Sequence, residues 1–295
     1  MKVRIAVTPP AMAMGEAVFP EYLLACESLG FDTLWLSDVP LGPLGDPLVS
    51  LAFAAGATRR LKLGANVVPL GRNPWWLAKQ LAQLDRLSRG RLLLSFVPGL
   101  GAPAERAAVG MPSGDRGRAV DDIIGLLRRW WAGEPVSAQY GDYLFEALSL
   151  QPLPFQQPLE IWLGGIGPAA LERVAALADG WLTASATPAE AAEGRLIIRA
   201  RAAALGRHID DEHFGISIPY AQDAPSPVAV EALRARRKDR DLTHILPLGR
   251  APLVSLIQSH LTGGISKFVL RSLTTSTDWR ADLAWLADCV LPLQT

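Results

Sequence analysis

The stretch IWLGGIGPAALERVAALADGWL, residues 161–182, decides how this chain is read. Three apolar residues suggest a strand and Gly-Gly-Ile-Gly a turn. Pro168 stands where a helix tolerates a missing N–H, and an alanine- and leucine-rich run leads to a second strand at Gly180. Inside it lies Gly165-x-Gly167-x-x-Ala170, close to the dinucleotide fingerprint G-x-G-x-x-G/A. A Rossmann turn, however, follows the first strand of its unit and needs an acidic residue about 20 positions on, ending the second strand. Asp179 comes too soon after Gly165 and precedes its strand, so the dinucleotide reading fails. Two readings stay open: an anion site made by orphan helix N–H groups, the helix dipole and close-approaching glycines, or simply a tight strand-to-helix turn.

The same alternation extends over the chain. Short apolar runs at 3–7, 33–36, 62–67, 92–97, 160–163, 180–183, 214–218 and 266–270 read as strands. Helix patterns lie between them at 18–29, 46–57, 74–88, 116–131, 168–178, 188–205, 252–260 and 278–290. Several helices open on proline, and Gly30 and Gly90 stand where a helix is closed by a left-handed residue. Strand runs with little polar alternation suit a parallel sheet covered on both faces. Eight strands, each followed by a helix, predict an α/β fold, a single (β/α)8 TIM barrel over residues 1–295, with a doubly wound sheet as the competing arrangement. Two segments exceed the repeat. The first, about 132–159, contains SAQYGDYLFEALSLQPLPFQQP and reads as a hairpin with a proline-rich return. The second, about 219–248, contains PYAQDAPSPVAVEALRARRKDRDLTH and reads as a surface excursion or a lid.

Composition narrows the function classes. Hydrophobic residues make up 49% and charged residues 20%, enough for a sizeable core, and the formal net charge is zero. That balance gives no reason to expect nucleic acid or an anionic membrane as partner. The longest apolar runs fall short of the roughly 20 residues that a bilayer helix needs, and the first ten residues lack a signal-peptide pattern. Cys26 and Cys289 sit in helical patterns and are expected to be buried thiols of a cytoplasmic protein rather than a disulfide. The four histidines show no ligand spacing, so no metal is expected.

Four ordered blocks carry a resemblance: GFDTLWLSDVPLGPLGDPLVSLAFAAGATRRLKLGANV, RNPWWLAKQLAQLDRLSRGRLLLSF, RGRAVDDIIGLLRRWWAGEPV and the opening stretch itself. Together they resemble the bacterial luciferase-like monooxygenase family, over about residues 3–183 and more weakly beyond. The resemblance implies a (β/α)8 barrel that binds FMN or the deazaflavin coenzyme F420 at its C-terminal mouth. It implies that Gly164, Gly165, Ile166 and Gly167 hold a single flavin phosphate, with Gly167 where relatives often carry serine. It places Asn66 and Val67 behind the flavin ring, where deazaflavin-binding members have a non-proline cis peptide; an ordinary strand end is the other reading. Pro98, Gly99 and Gly101 would run along the ribityl chain. Leu100 stands where some sugar-phosphate-oxidising relatives carry a glutamate.

The largest departure is in WLSDVPLG, where many members have Ser-Asp-His or Ser-Glu-His and this chain has Ser37-Asp38-Val39. Valine cannot move a proton, which leaves Asp38 as the catalytic candidate and cofactor contact, or else as a capping or ion-paired residue. Val39, Leu41, Phe96 and Leu100 suggest an apolar lining for the substrate pocket, and Arg271, just past the eighth strand, is an anion candidate in that pocket. The run RARRKDRD at 234–241 reads as a solvated helix face or as a lid meeting an anionic cofactor tail. The paired tryptophans, Trp75-Trp76 and Trp130-Trp131, suit packing or a subunit interface, while Trp162 and Trp181 are expected inside the barrel. The resulting expectation is hydride transfer between reduced coenzyme F420 and a small organic substrate, in a homodimer. The alternatives are an FMN-dependent monooxygenase served by a flavin reductase and a non-catalytic flavin-binding protein.

Overall fold

Proline sets the start of most helices, because its missing N–H falls among the groups a helix leaves unbonded at its first turn. In the computed structural model, which describes residues 1–99, 102–111 and 114–295, proline opens α1 (Phe19–Leu29), α2 (Pro47–Ala57), α3 (Pro74–Ser88), α4 (Pro103–Val109), α6 (Pro168–Leu177), α7 (Pro188–Ala204) and α8 (Pro227–Arg236). The other three helices are α5 (Arg116–Trp131), α9 (Arg250–Thr262) and α10 (Trp279–Val290). The strands are β1 (Arg4–Thr8), β2 (Thr33–Ser37), β3 (Lys62–Val67), β4 (Leu92–Phe96), β5 (Val136–Tyr140), β6 (Tyr143–Leu148), β7 (Ile161–Leu163), β8 (Gly180–Ala184), β9 (Phe214–Tyr220) and β10 (Lys267–Ser272).

Eight of these strands close a barrel in the order β1-β10-β9-β8-β7-β4-β3-β2, while β5 and β6 form a separate antiparallel hairpin. The barrel is the expected one, and the doubly wound alternative is excluded. Each predicted strand is present within two residues, and β3, α3 and α5 have the predicted bounds. Two helices escaped the reading of the sequence. The seven-residue α4 is too short to show a period, and α8 lies in the excursion read as loop or lid.

Contacts divide the chain into two compact units: Met1–Trp35 with Trp162–Thr295, and Leu36–Ile161. In the first, the last residue of β9 shows which way the strand faces. Tyr220 stacks on Trp285 of α10 with ring centroids 6.1 Å apart, so residues 214, 216, 218 and 220 face the helices. Gly215, Ser217 and Pro219 therefore face the barrel axis. Parallel register carries this to the neighbouring strands: Lys267, Val269 and Arg271 stand beside those three residues, and Leu182 and Ala184 beside Gly215 and Ser217. Trp181 pairs with Phe214 and thus faces outward, against α7, where Gly194 has no side chain to obstruct it. The expectation that Trp181 fills the barrel interior is corrected. A residue this large is accommodated between layers, because a glycine in the covering helix leaves room. Trp162 lies over Gly180, beside His213.

In the second unit a buried carboxylate pins the proline-rich return. Asp85 of α3 accepts hydrogen bonds from the Gln156 backbone N–H and side-chain amide, both at 2.7 Å. The hairpin is anchored by Trp130, whose ring meets Phe145 edge-on and whose indole N–H donates to the Leu148 carbonyl at 3.1 Å. Trp131 is also buried and donates to the Ala78 carbonyl. That tryptophan pair is core, whereas Trp76 is 57% exposed. Cys26 and Cys289 are free buried thiols. Among the described residues no helix is long and apolar enough to cross a membrane.

Candidate functional site

The loops after β2 and β3 meet at one guanidinium. The Asp38 N–H donates to the Asn66 carbonyl at 2.8 Å, continuing the ladder one residue past β2. The Asn66 amide donates to the Ser37 hydroxyl at 3.3 Å. The Asp38 carboxylate accepts from the Val68 N–H at 3.1 Å and from Arg72 at 2.9 Å. Arg72 also reaches Asp46 at 3.0 Å, and Asp46 in turn caps α2 by accepting from the Leu48 and Val49 N–H groups. Burial works against the Arg72 charge, but hydrogen bonds and attraction from Asp46 and Asp38 outweigh it and raise its pKa. The Asp38 side chain is only 6% exposed. Of the roles open to Asp38, the ion pair is the one seen.

Around this ion pair lies a cavity of about 260 Å³ whose apolar walls include Val39, Leu44, Val68, Leu70 and Val109. Gly71 closes it with φ +82°; a Cβ there would stand 2.0 Å from the Val109 carbonyl oxygen, so only glycine fits. Val39 itself is 39% exposed, and Leu41 is exposed. The Asn66–Val67 bond lies inside the continuous β3–β4 pairing. The cis peptides described are Gln151–Pro152 and Gln157–Pro158, so the expectation of a cis bond at Asn66–Val67 is corrected. Regular pairing of Asn66 with Ser95 and Val67 with Phe96 leaves no bulge there. Val67 and Phe96 are fully buried.

After β4 the chain turns at Pro98 and Gly99. Gly99 has φ +72°, and its missing Cβ would lie 2.7 Å from a Glu105 carboxylate oxygen. The loop is held by Arg116 of α5, which donates to the Pro98 and Gly99 carbonyls at 3.2 and 3.3 Å. Leu100 and Gly101 lie outside the described residues. Arg72, Asp46, Glu105 and Arg116 were not singled out from the sequence. Only Asp46 had a local signal there, as a cap before Pro47.

In the other unit the glycine turn joins β7 to α6. At Gly164 a Cβ would come within 2.9 Å of the Leu182 carbonyl, and Gly165 adopts φ +100° close to Ala170. The Gly165 carbonyl accepts from the Trp181 indole N–H at 2.8 Å, which fixes the turn against the next strand. Gly167 is the N-cap of α6, with extended backbone, no side chain to cap the helix and open space where a Cβ would be. The turn therefore presents an uncapped helix N-terminus with room above it, as an approaching anion requires.

Beside the turn, Ile166 and Pro168 border a groove of about 790 Å³ that also includes Glu190, Arg236, Arg237 and Arg240. Arg237 is not a solvated residue of the basic run. It pairs with Glu190 at 2.8 Å and donates to the Ser185 carbonyl, and Arg240 reaches the same carboxylate at 2.8 Å. Burial raises the Glu190 pKa, but the Thr187 N–H and the two arginines outweigh it, so its carboxylate titrates below the usual range. These contacts tie the end of the 219–248 excursion to the start of α7. The excursion also packs Leu233, Ile245 and Leu246 against Leu273, just past β10. Arg271 lies at the end of β10, facing the axis.

A family model described as luciferase-like monooxygenase matches residues 4–256. Solved structures of similar fold include an F420-dependent secondary alcohol dehydrogenase in complex with an F420-acetone adduct, 17% identical with TM-score 0.83 over all of both chains. A monooxygenase from Streptomyces bottropensis is 21% identical with TM-score 0.76, covering 98% of this chain and 99% of its own. A type II Baeyer–Villiger monooxygenase from Pseudomonas putida in complex with FMN is 14% identical with TM-score 0.76, covering 100% of this chain and 98% of its own.

Proposed function

This chain belongs to the luciferase-like monooxygenase family of F420- or FMN-dependent oxidoreductases, and from that premise we propose that it transfers a hydride between reduced coenzyme F420 and a small organic substrate. The observation that carries this reading is the uncapped glycine turn at 164–167; separately, the loop after β2 gives its part of the mouth no histidine. Val39 replaces the histidine of many relatives, and Asp38 is committed to Arg72 and the Val68 N–H. Such a mouth suits a reaction whose electrons come from the cofactor and which asks the protein mainly for position.

The turn fits a flavin-type phosphate: glycines at 164 and 165 keep backbone close to the approach, and the space at Gly167 is open. Gly164, Gly165, Ile166 and Gly167 would hold that phosphate. In the family reading, the backbone of Asn66, Pro98 and Gly99 would serve the ring and ribityl chain, while Val67 is buried behind them. When bound, a deazaflavin supplies a two-electron hydride donor that does not form an oxygen adduct. Val39 and Leu41 would keep water from the reacting face, since their side chains add apolar surface there. Asp38 acts through Arg72 by holding the loops after β2 and β3 in register.

Parallel spectral titrations with FMN and with coenzyme F420 test the reading. Micromolar binding of the deazaflavin, with turnover of a carbonyl or alcohol under anaerobic conditions, is expected. Oxygen-dependent product from reduced FMN would instead assign a monooxygenase that depends on a partner reductase. Tight binding without turnover of either kind would assign a flavin-binding protein. A second copy of the chain is the proposed structural partner, supported by exposed Val49, Phe53 and Trp76 on α2 and α3. Sedimentation that finds a monomer at micromolar concentration would remove that part.

A further inference from the structure

Arg271 faces inward, and among the described residues no opposite charge balances it. It stands in β10 beside Thr8 of β1 and Pro219 of β9, neither of which carries charge. The alternation established by Tyr220 turns its side chain toward the barrel axis, at the C-terminal end of the strands. Among the described residues no carboxylate pairs with it; burial and the like charge of Arg236 both lower its pKa. The four residues outside the described set are Leu, Gly, Pro and Ser, and none can supply a counter-charge.

A half-buried cation facing only another cation is unfavourable, and arginine cannot escape by losing its proton. The second cation is held in place. Arg236 is the last residue of α8, whose Leu233 packs with Leu273, two residues beyond Arg271. The Ser226 N–H donates to the Leu273 carbonyl at 2.7 Å, and the neighbouring Arg237 is tied to Glu190 and Ser185. The fold thus keeps two guanidinium groups near each other at the end of the barrel, one inside and one at the surface.

We propose that Arg271, with Arg236 as an outer second cation, binds the carboxylate of an organic substrate at the barrel mouth. The identification of the ligand as substrate rests on the oxidoreductase reading above; the anion site itself does not. A carboxylate matches the planar fork of a guanidinium through two parallel hydrogen bonds and brings the single negative charge that one interior cation needs.

Calorimetric titration of the cofactor-free protein with benzoate, benzyl alcohol and inorganic phosphate tests the site. Saturable benzoate binding, absent for benzyl alcohol, is expected in the wild type. It should weaken at least tenfold in Arg271→Met, less in Arg271→Lys, and severalfold in Arg236→Met. The melting temperature of Arg271→Met should equal or exceed that of the wild type, since the change removes an uncompensated charge; a structural arginine would show a fall. In Arg271→Met the affinity for FMN or coenzyme F420 should stay within about twofold. The proposal is overturned if benzoate does not bind the wild type, or binds Arg271→Met equally well. It is also overturned if phosphate binds at Arg271 while benzoate does not, or if cofactor affinity falls in step with the substitution. Failure of both cofactors to bind the wild type would remove the oxidoreductase reading and leave the benzoate result standing on its own.

Discussion

A glycine can be required by packing or by a ligand, and the turn at 164–167 contains both kinds. Gly164 and Gly165 are required by neighbouring atoms and by a left-handed backbone, while Gly167 has ordinary φ and free space around it. An aspartate at 167 is sterically tolerated and is a good N-cap, so Gly167→Asp should keep the melting temperature within a few degrees. If the turn receives a phosphate, the same substitution puts a negative charge in its place. Flavin or deazaflavin affinity should then fall at least tenfold, as read by fluorescence titration. Unchanged affinity would mean that the turn is only a turn. Asp38 makes the opposite case, since its carboxylate is already bound. Asp38→Asn should lower stability by about 1–3 kcal/mol in urea denaturation, because the one carboxylate left to Arg72 is the partly exposed Asp46, beside its bond to the Val68 carbonyl.

At the scale of elements, local signals located most of the barrel and packing decided the rest. Proline at a helix start, glycine at its end and runs of β-branched or leucine residues are all local, and they placed β3, α3 and α5 within the observed bounds. The direction in which Trp181 points is not local. It depends on Gly194, one layer away in α7, where a Cβ would lie 2.7 Å from the indole ring. An exposed helical glycine replaced by alanine normally gains about 1 kcal/mol, but Gly194→Ala should lose about 1–3 kcal/mol through overpacking. A urea midpoint that rises in the variant would show that the ring moves aside freely. The cis bond expected at Asn66–Val67 failed at this scale too, because an uninterrupted ladder with β4 holds the strand regular.

For the molecule as a whole, acid should be a specific stress. His260 is fully buried, neither ring nitrogen has a hydrogen-bond partner, and burial lowers its pKa from 6.5 to about 4. The unfolded chain therefore binds a proton more readily than the folded one between these values. Stability attributable to the neutral ring is fully present above about pH 6.5 and is lost as pH falls toward about 4, a change of about 3 kcal/mol. Urea midpoints between pH 7 and pH 4 should fall less steeply in His260→Leu than in the wild type; parallel slopes would rule out His260 as the source.

Sequence alone determined the order of strands and helices and hence the barrel, because strand, turn and helix preferences act over a few residues and eight repeats reinforce one another. It also determined which residue types the site lacks, since Val39 is valine in any fold. Only the tertiary structure decided which charges are balanced. Asp38 meets Arg72 across 34 residues and Glu190 meets Arg237 across 47, whereas among the described residues Arg271 meets no carboxylate. Such pairings depend on which loops the closed sheet brings together, and no local pattern encodes them.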